Sequence, residues 1–179
     1  MADELVDIVD LNCNVLGQVM KSVAHDQGIL HKTVIGYLRD GYELRLVRQS
    51  GHKQDAGQFV APVGGHVAAG ESDIDALLRE SEEEIGTRNI TYKEIGRFRF
   101  HRQVIGRDEN HLFIIYEIDT NDDLVFNDEI DSIETFTISK LKDLIAQKPG
   151  EFGDAFYVVL EQLYPEYLPV NYKYRWAKK

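Results

Sequence analysis

The sequence predicts an α/β protein, with helices packed on a mixed central sheet. Short apolar segments suited to strands occur along most of its 179 residues. Helical patterns occur in only three places, one in the middle and two toward the end. The two kinds lack the steady alternation of a doubly wound sheet, so an α/β sandwich with a mixed sheet is the natural architecture.

In chain order, Val6–Val9 and Val15–Met20 are β-like pieces around a polar turn at Asn12–Asn14. Lys32–Leu38 and Tyr42–Arg48 flank Arg39-Asp40-Gly41, whose Asp-Gly pair signals a hairpin. Ser50–Gln58 is polar and reads as a loop, and Phe59–Val63 is a short strand entering Gly64-Gly65. Ser72–Ile85 reads as a helix, because Ile74, Leu77, Leu78, Ser81 and Ile85 recur at spacings of three and four. Ser72 or Asp73 caps its start, and Gly86 ends it in the left-handed conformation. Glu94–Val104 and His111–Ile118 are strands around a turn at Gly106–Asn110. On the first, Phe98 and Phe100 point one way and Arg97, Arg99 and His101 the other. Glu117–Glu134 carries eight acidic residues and no basic one, and reads as a solvated loop and strand edge. Ser139 caps a helix through Gln147, stopped by Pro149-Gly150. Asp154 caps the last helix, with Phe152, Phe156, Val159, Leu160 and Leu163 as its apolar stripe.

With 20 Lys and Arg against 31 Asp and Glu, the formal net charge is −11. That argues against a broad basic surface for nucleic acid or anionic lipid. A small anion held through a bound cation stays compatible with it. Cys13 is the only cysteine, so no internal disulfide forms, which fits a reduced compartment. The start, MADELVDIVD, lacks the basic and apolar regions of a signal peptide. No apolar run reaches membrane-spanning length. The expectation is a soluble cytoplasmic protein with no membrane partner.

One stretch breaks the local rules. Glu80, Glu83 and Glu84 share one face of the central helix at i,i+3 and i,i+4. Like charges there destabilise a helix, and the macrodipole disfavours them near its C-terminus. Such a conflict is expected where function compensates it. A divalent cation, Mg²⁺ or Mn²⁺, with oxygen ligands in octahedral geometry, is the compensation. Glu82 falls off that face and reads as solvated. Gly64-Gly65 permits a bend or a close backbone approach, Glu71 lies in the intervening loop, and Arg79 can orient a carboxylate.

Gly65, Glu71, Arg79-Glu80, Glu83-Glu84 and Gly86 resemble the Nudix box, G-x5-E-x7-R-E-U-x-E-E-x-G-U, at every fixed position. The departures are Ser81 and Thr87, where the box has bulky aliphatic residues. The resemblance implies a Nudix-type α/β/α sandwich and divalent-metal-dependent hydrolysis of a diphosphate linkage in a nucleoside diphosphate derivative or related organic diphosphate. It implies Glu80, Glu83, Glu84 and the Gly64 carbonyl as metal ligands, with Glu71 and Arg79 bracing loop and helix. A glutamate accepts the proton of the attacking water. Glu80, Glu109 and Glu117 are the candidates.

The segments VDIVDLNCNVLGQV, HDQGILHKTV, LRLVRQS and VGGHVAAGES are similar to the Nudix subgroup related to type 1 isopentenyl-diphosphate isomerase. That resemblance implies a second metal site of His25, His31, His66 and Glu109, with His111 where the isomerase has another glutamate. The isomerase also needs a cysteine where this chain has Gly64, and its box is usually degraded, so the sequence favours a hydrolase. An isomerase-like enzyme and a non-catalytic diphosphate-binding module are the alternatives. Arg48 and Lys53 are the candidate cations for the diphosphate, beside Gly64 and Gly65. Tyr37, Phe59 or Phe98 could stack a base. The expected organisation is a single Nudix domain over 1–179, with a strand extension at 1–30, a core at 31–165 and a basic, aromatic tail at 166–179. The oligomeric state stays open, a homodimer included.

Overall fold

A computed structural model describes residues 3–51, 56–104 and 106–175. Nine strands join one mixed sheet: β1 (Leu5–Val9), β2 (Val15–Met20), β3 (His31–Asp40), β4 (Glu43–Gln49), β5 (Phe59–Val60), β6 (Val63–His66), β7 (Thr91–Val104), β8 (Arg107–Asp119) and β9 (Ile130–Phe136). The helices are α1 (Lys21–Asp26), α2 (Asp73–Ile85), α3 (Ile138–Gln147) and α4 (Asp154–Leu163). No helix among the described residues is long and apolar enough to cross a membrane.

β3 is the centre. It runs parallel to β8 along one edge, from His31 beside His111 to Leu38 beside Ile118. Its other edge meets β1 at His31, then β6 from Thr33 to Gly36, then β4 from Leu38. Both neighbours cover it, so its side chains are buried on both faces. Ile35 and Tyr37, with Phe113 and Ile115 of β8, join the core beneath α3 and α4. Val34 and Leu38, with Ile114, Tyr116 and Ile118, join the core beneath α2. The two-residue period of the strands thus divides the sheet into two helix-covered faces, as a sandwich requires.

Several local expectations change. Phe59–Val63 is not one strand: β5 pairs with β4, and β6 turns to pair with β3. Gly64 and Gly65 therefore lie within a strand. The long hairpin is paired to Val104↔Arg107, so Arg107–Asn110 is strand rather than turn. The acidic stretch closes into β9, which pairs with β4. Thr137, not Ser139, caps α3 by accepting from the Lys140 N–H, because the helix starts at Ile138. Gly153 precedes α4, and Asp154 is its first residue rather than its cap. Ser72 caps α2, and Gly86 ends it at φ 81°. α1 was not anticipated, although Gly28, at φ 61° two residues past its end, is a helix-stop signal.

Candidate active site

The site begins with the two glycines. In β6, Gly64 stands opposite Ile35 and Gly65 opposite Val34, so their missing side chains belong to opposite faces. On the α2 face a Cβ at Gly65 would overlap the Glu80 carboxylate, so only glycine admits that side chain. The Gly64 N–H donates to Glu84 Oε2 at 2.7 Å. The strand is thus read by two successive-turn glutamates of the helix. β1 braces the connecting loop, since the Ala69 N–H donates to the Leu5 carbonyl and the Gly70 N–H to Asp7 Oδ2.

Arg79 ties loop, strand and helix together. Its Nε and Nη2 donate to the two oxygens of Glu71, each at 3.0 Å, and Nη2 also reaches the His66 carbonyl. Its Nη1 lies 2.5 Å from Glu80 and 3.8 Å from Glu83. Glu71 in turn accepts from the Ala68 N–H at 2.9 Å. Burial raises the Glu80 pKa against the opposing pull of Arg79. Burial also acts to raise the pKa of Glu71, but the Arg79 and Ala68 hydrogen bonds outweigh it and leave the pKa lowered. One guanidinium faces three carboxylates here, with Glu84 on the Gly64 N–H as a fourth nearby, leaving net negative charge that a hard divalent cation fits. Glu82 lies off this face, exposed and paired with Arg88. Ser81 is fully buried, and its hydroxyl donates to the Leu77 carbonyl, while Thr87 donates to Asp122. Both departures from aliphatic residues are therefore satisfied locally.

A second cluster forms on the other face. The β3–β8 register sets His31 beside His111, and the β3–β6 register sets His66 beside Thr33, two residues on. α1 lays His25 over them. The ligand atoms of these four histidines lie within 4.8 Å of one another. His25 Nε2 is 3.2 Å from Nε2 of both His66 and His111. A tetrahedral zinc site, with Zn–N of ~2.1 Å, would space its nitrogens roughly 3.4 Å apart. His31 Nδ1 donates to the Ile29 carbonyl at 2.7 Å, which leaves Nε2 bare, and that buried atom has no partner among the described residues. Such an outer hydrogen bond is how a ligating imidazole is oriented. Burial pushes the His31 pKa down to about 4, and lowers His25, His66 and His111 as well. His111 joins the group, and Glu109, which lines the cavity beside it, is held by Arg102 Nε at 2.7 Å.

A cavity of about 230 Å³ connects the two clusters, lined by Glu84 and Gly64 at one part and His111 and Glu109 at another. Tyr37, Phe100, Phe113 and Phe156 form much of its wall. Other expected residues lie elsewhere. Arg48 pairs with Glu151 at 2.9 Å and covers the Phe59 ring, outside the cavity lining. Lys53 lies outside the described residues. Glu117 is engaged by Arg39 and Tyr164 and does not line the cavity. Cys13 accepts from Arg97 on the β1–β2 turn and does not line the cavity. Thr33 and Gln49, which also line the cavity, were not singled out from the sequence as site residues. Only the shared face of Thr33, Ile35 and Tyr37 on one strand hinted at the first.

Residues 29–169 match the family model described as the NUDIX domain. The chain belongs to the Nudix family. An uncharacterized Nudix hydrolase of Streptomyces coelicolor is 40% identical over 99 residues, covering 52% of this chain and 52% of that protein. An isopentenyl-diphosphate Delta-isomerase of Serratia proteamaculans is 26% identical over 180 residues, covering 98% and 97%. A crystal structure from Deinococcus radiodurans shares the Nudix fold with a TM-score of 0.69 at 22% identity, covering 88% of this chain and 98% of that one. The chain spans about half the length of two curated Nudix hydrolases that it matches. In Nudix terms, the carboxylate face is the box itself, and the histidine cluster lies outside it.

Proposed function

We propose that this Nudix protein is a pyrophosphohydrolase that cleaves a diphosphate linkage in a nucleoside diphosphate derivative or related organic diphosphate, using Mg²⁺ or Mn²⁺. The observation that carries the reading is the glycine-backed carboxylate face opening on an apolar cavity, with Glu84 belonging to both. Glu80, Glu83, Glu84 and the Gly64 carbonyl are the proposed ligands, an all-oxygen set suited to a hard cation. The cation supplies neutralisation of the diphosphate and acidifies an attacking water. Arg79 and Glu71 fix Glu80 in place, and Gly64 fixes Glu84. Glu80, buried with a raised pKa, is the chosen proton acceptor. The organic group enters the cavity among Tyr37, Phe100, Phe113 and Phe156.

His25, His31, His66 and His111 are proposed as a second centre for a borderline cation such as Zn²⁺ or Mn²⁺. This centre, with the similarity to an isomerase along nearly the whole chain, supports the isomerase-like alternative. Against it, no thiol lines the cavity among the described residues. Phosphorus NMR of a mixed panel with Mg²⁺ tests both readings. The panel holds nucleoside di- and triphosphates, nucleotide sugars, dinucleotides and isoprenoid diphosphates. Cleavage lost in Glu84→Gln supports the hydrolase. Conversion of isopentenyl diphosphate without cleavage would overturn it.

A further inference from the structure

The cavity wall combines apolar side chains with Glu84, Arg102, Glu109 and His111, and two further polar residues in it carry buried atoms of a different kind. Thr33 Oγ1 and Gln49 Oε1 have no hydrogen-bond partner among the described residues, and both residues line the cavity. Thr33 is 8% exposed and follows the strand period that also points Ile35 and Tyr37 to this face. Valine would fill the same volume and suit a strand better, without an orphaned hydroxyl. A buried polar atom left unpaired is costly, and native proteins keep few of them. Both atoms in one cavity therefore point to a partner that arrives from outside.

The walls say what kind. Ile35, Tyr37, Phe100, Phe113 and Phe156 offer apolar and π surface. That surface suits the face of a flat ring. A plain hydrocarbon would leave both atoms unpaired, and a site built to hydrogen-bond its substrate rejects the analogue that lacks the group. The volume of about 230 Å³ falls below the ~300–1,000 Å³ of pockets for drug-sized ligands. It takes one ring system, with the diphosphate left over Glu84 and Gly64.

We infer that Thr33 and Gln49 are specificity-determining residues that read hydrogen-bonding groups on a flat polar ring of the nucleobase class, and so discriminate against hydrocarbon diphosphates. The inference rests on the proposed hydrolase reading for the placement of the diphosphate.

Binding rather than turnover tests it, so that failure of the reaction is distinguishable from failure of the pocket. Calorimetry with Mg²⁺ would compare the α,β-methylene analogues of ADP, GDP, CDP and UDP with isopentyl methylenediphosphonate. Wild type is expected to bind the best nucleotide analogue at least about tenfold tighter than the hydrocarbon. The Thr33→Val, Gln49→Leu protein should bring that ratio close to one, while its ligand-free melting temperature rises because the orphaned atoms are gone. Thr33→Ser, which keeps the hydroxyl, should hold the ratio within about threefold of wild type. A wild type that prefers the hydrocarbon or binds none of the probes would overturn the inference. So would a folded double variant whose ratio is unchanged. Absence of cleavage in parallel assays, with the binding preference intact, would count against the hydrolase and leave the pocket's selectivity standing.

Discussion

The carboxylate face and the histidine cluster are both candidate cation sites, yet they are built in opposite ways. The first is local. Glu71, Arg79, Glu80, Glu83 and Glu84 come from one loop and one helix, and Glu83 is largely exposed. The second takes one residue from each of α1, β3, β6 and β8, with three of the four rings buried. The carboxylates are held by hydrogen bonds to Arg79 and a backbone N–H. The imidazoles meet one another, with one outer bond from His31 to the Ile29 carbonyl. A site with exposed oxygens and a fixed guanidinium suits exchangeable cation and anionic substrate. A buried nitrogen site suits a cation that stays.

The difference can be broken most sharply at Glu84. Glu84→Gln should lower diphosphate cleavage by on the order of a hundredfold or more, read as phosphorus NMR turnover with Mg²⁺, while histidine-bound metal is unchanged. Turnover close to wild type would remove the box from the chemistry. The converse is His31→Ala with His66→Ala, which should weaken metal retention by at least about 10–100-fold after dialysis, read by elemental analysis. Equal metal content in variant and wild type would leave the cluster as packing only.

Stability sharpens the contrast further. Arg79→Ala leaves Glu71 and Glu80 partly buried without their cation, and should cost about 3 kcal/mol in urea unfolding. Added Mg²⁺ should recover part of that loss if the carboxylates take up the cation instead. Gly65→Ala pushes a methyl into the Glu80 carboxylate and should cost about 1–3 kcal/mol, with weaker Mg²⁺ binding by calorimetry. Unchanged stability and affinity would mean that Glu80 moves aside freely. The smallest effect belongs to Glu82→Gln, which should change stability by less than about 0.5 kcal/mol and leave turnover unaltered, since Glu82 meets only Arg88 in solvent.

What the residues declared on their own was whatever chemistry is periodic or short-range. Helical spacing placed Glu80, Glu83 and Glu84 on one face before any fold was known, because 3.6 residues per turn is a local property. Ser72 and Gly86 announced the ends of α2 for the same reason. Strand alternation likewise gave Phe98 and Phe100 their common side. Register between strands is different, since it depends on packing of the whole sheet. Only the fold set His31 beside His111 and His66 two residues on, and so gathered the nitrogen cluster. It also turned Arg48 toward Glu151 and Glu117 toward Arg39. The two glycines show both halves at once: sequence marked them as a place of close approach, and the sheet's two faces decided that Gly65 meets Glu80 while the Gly64 N–H is taken by Glu84.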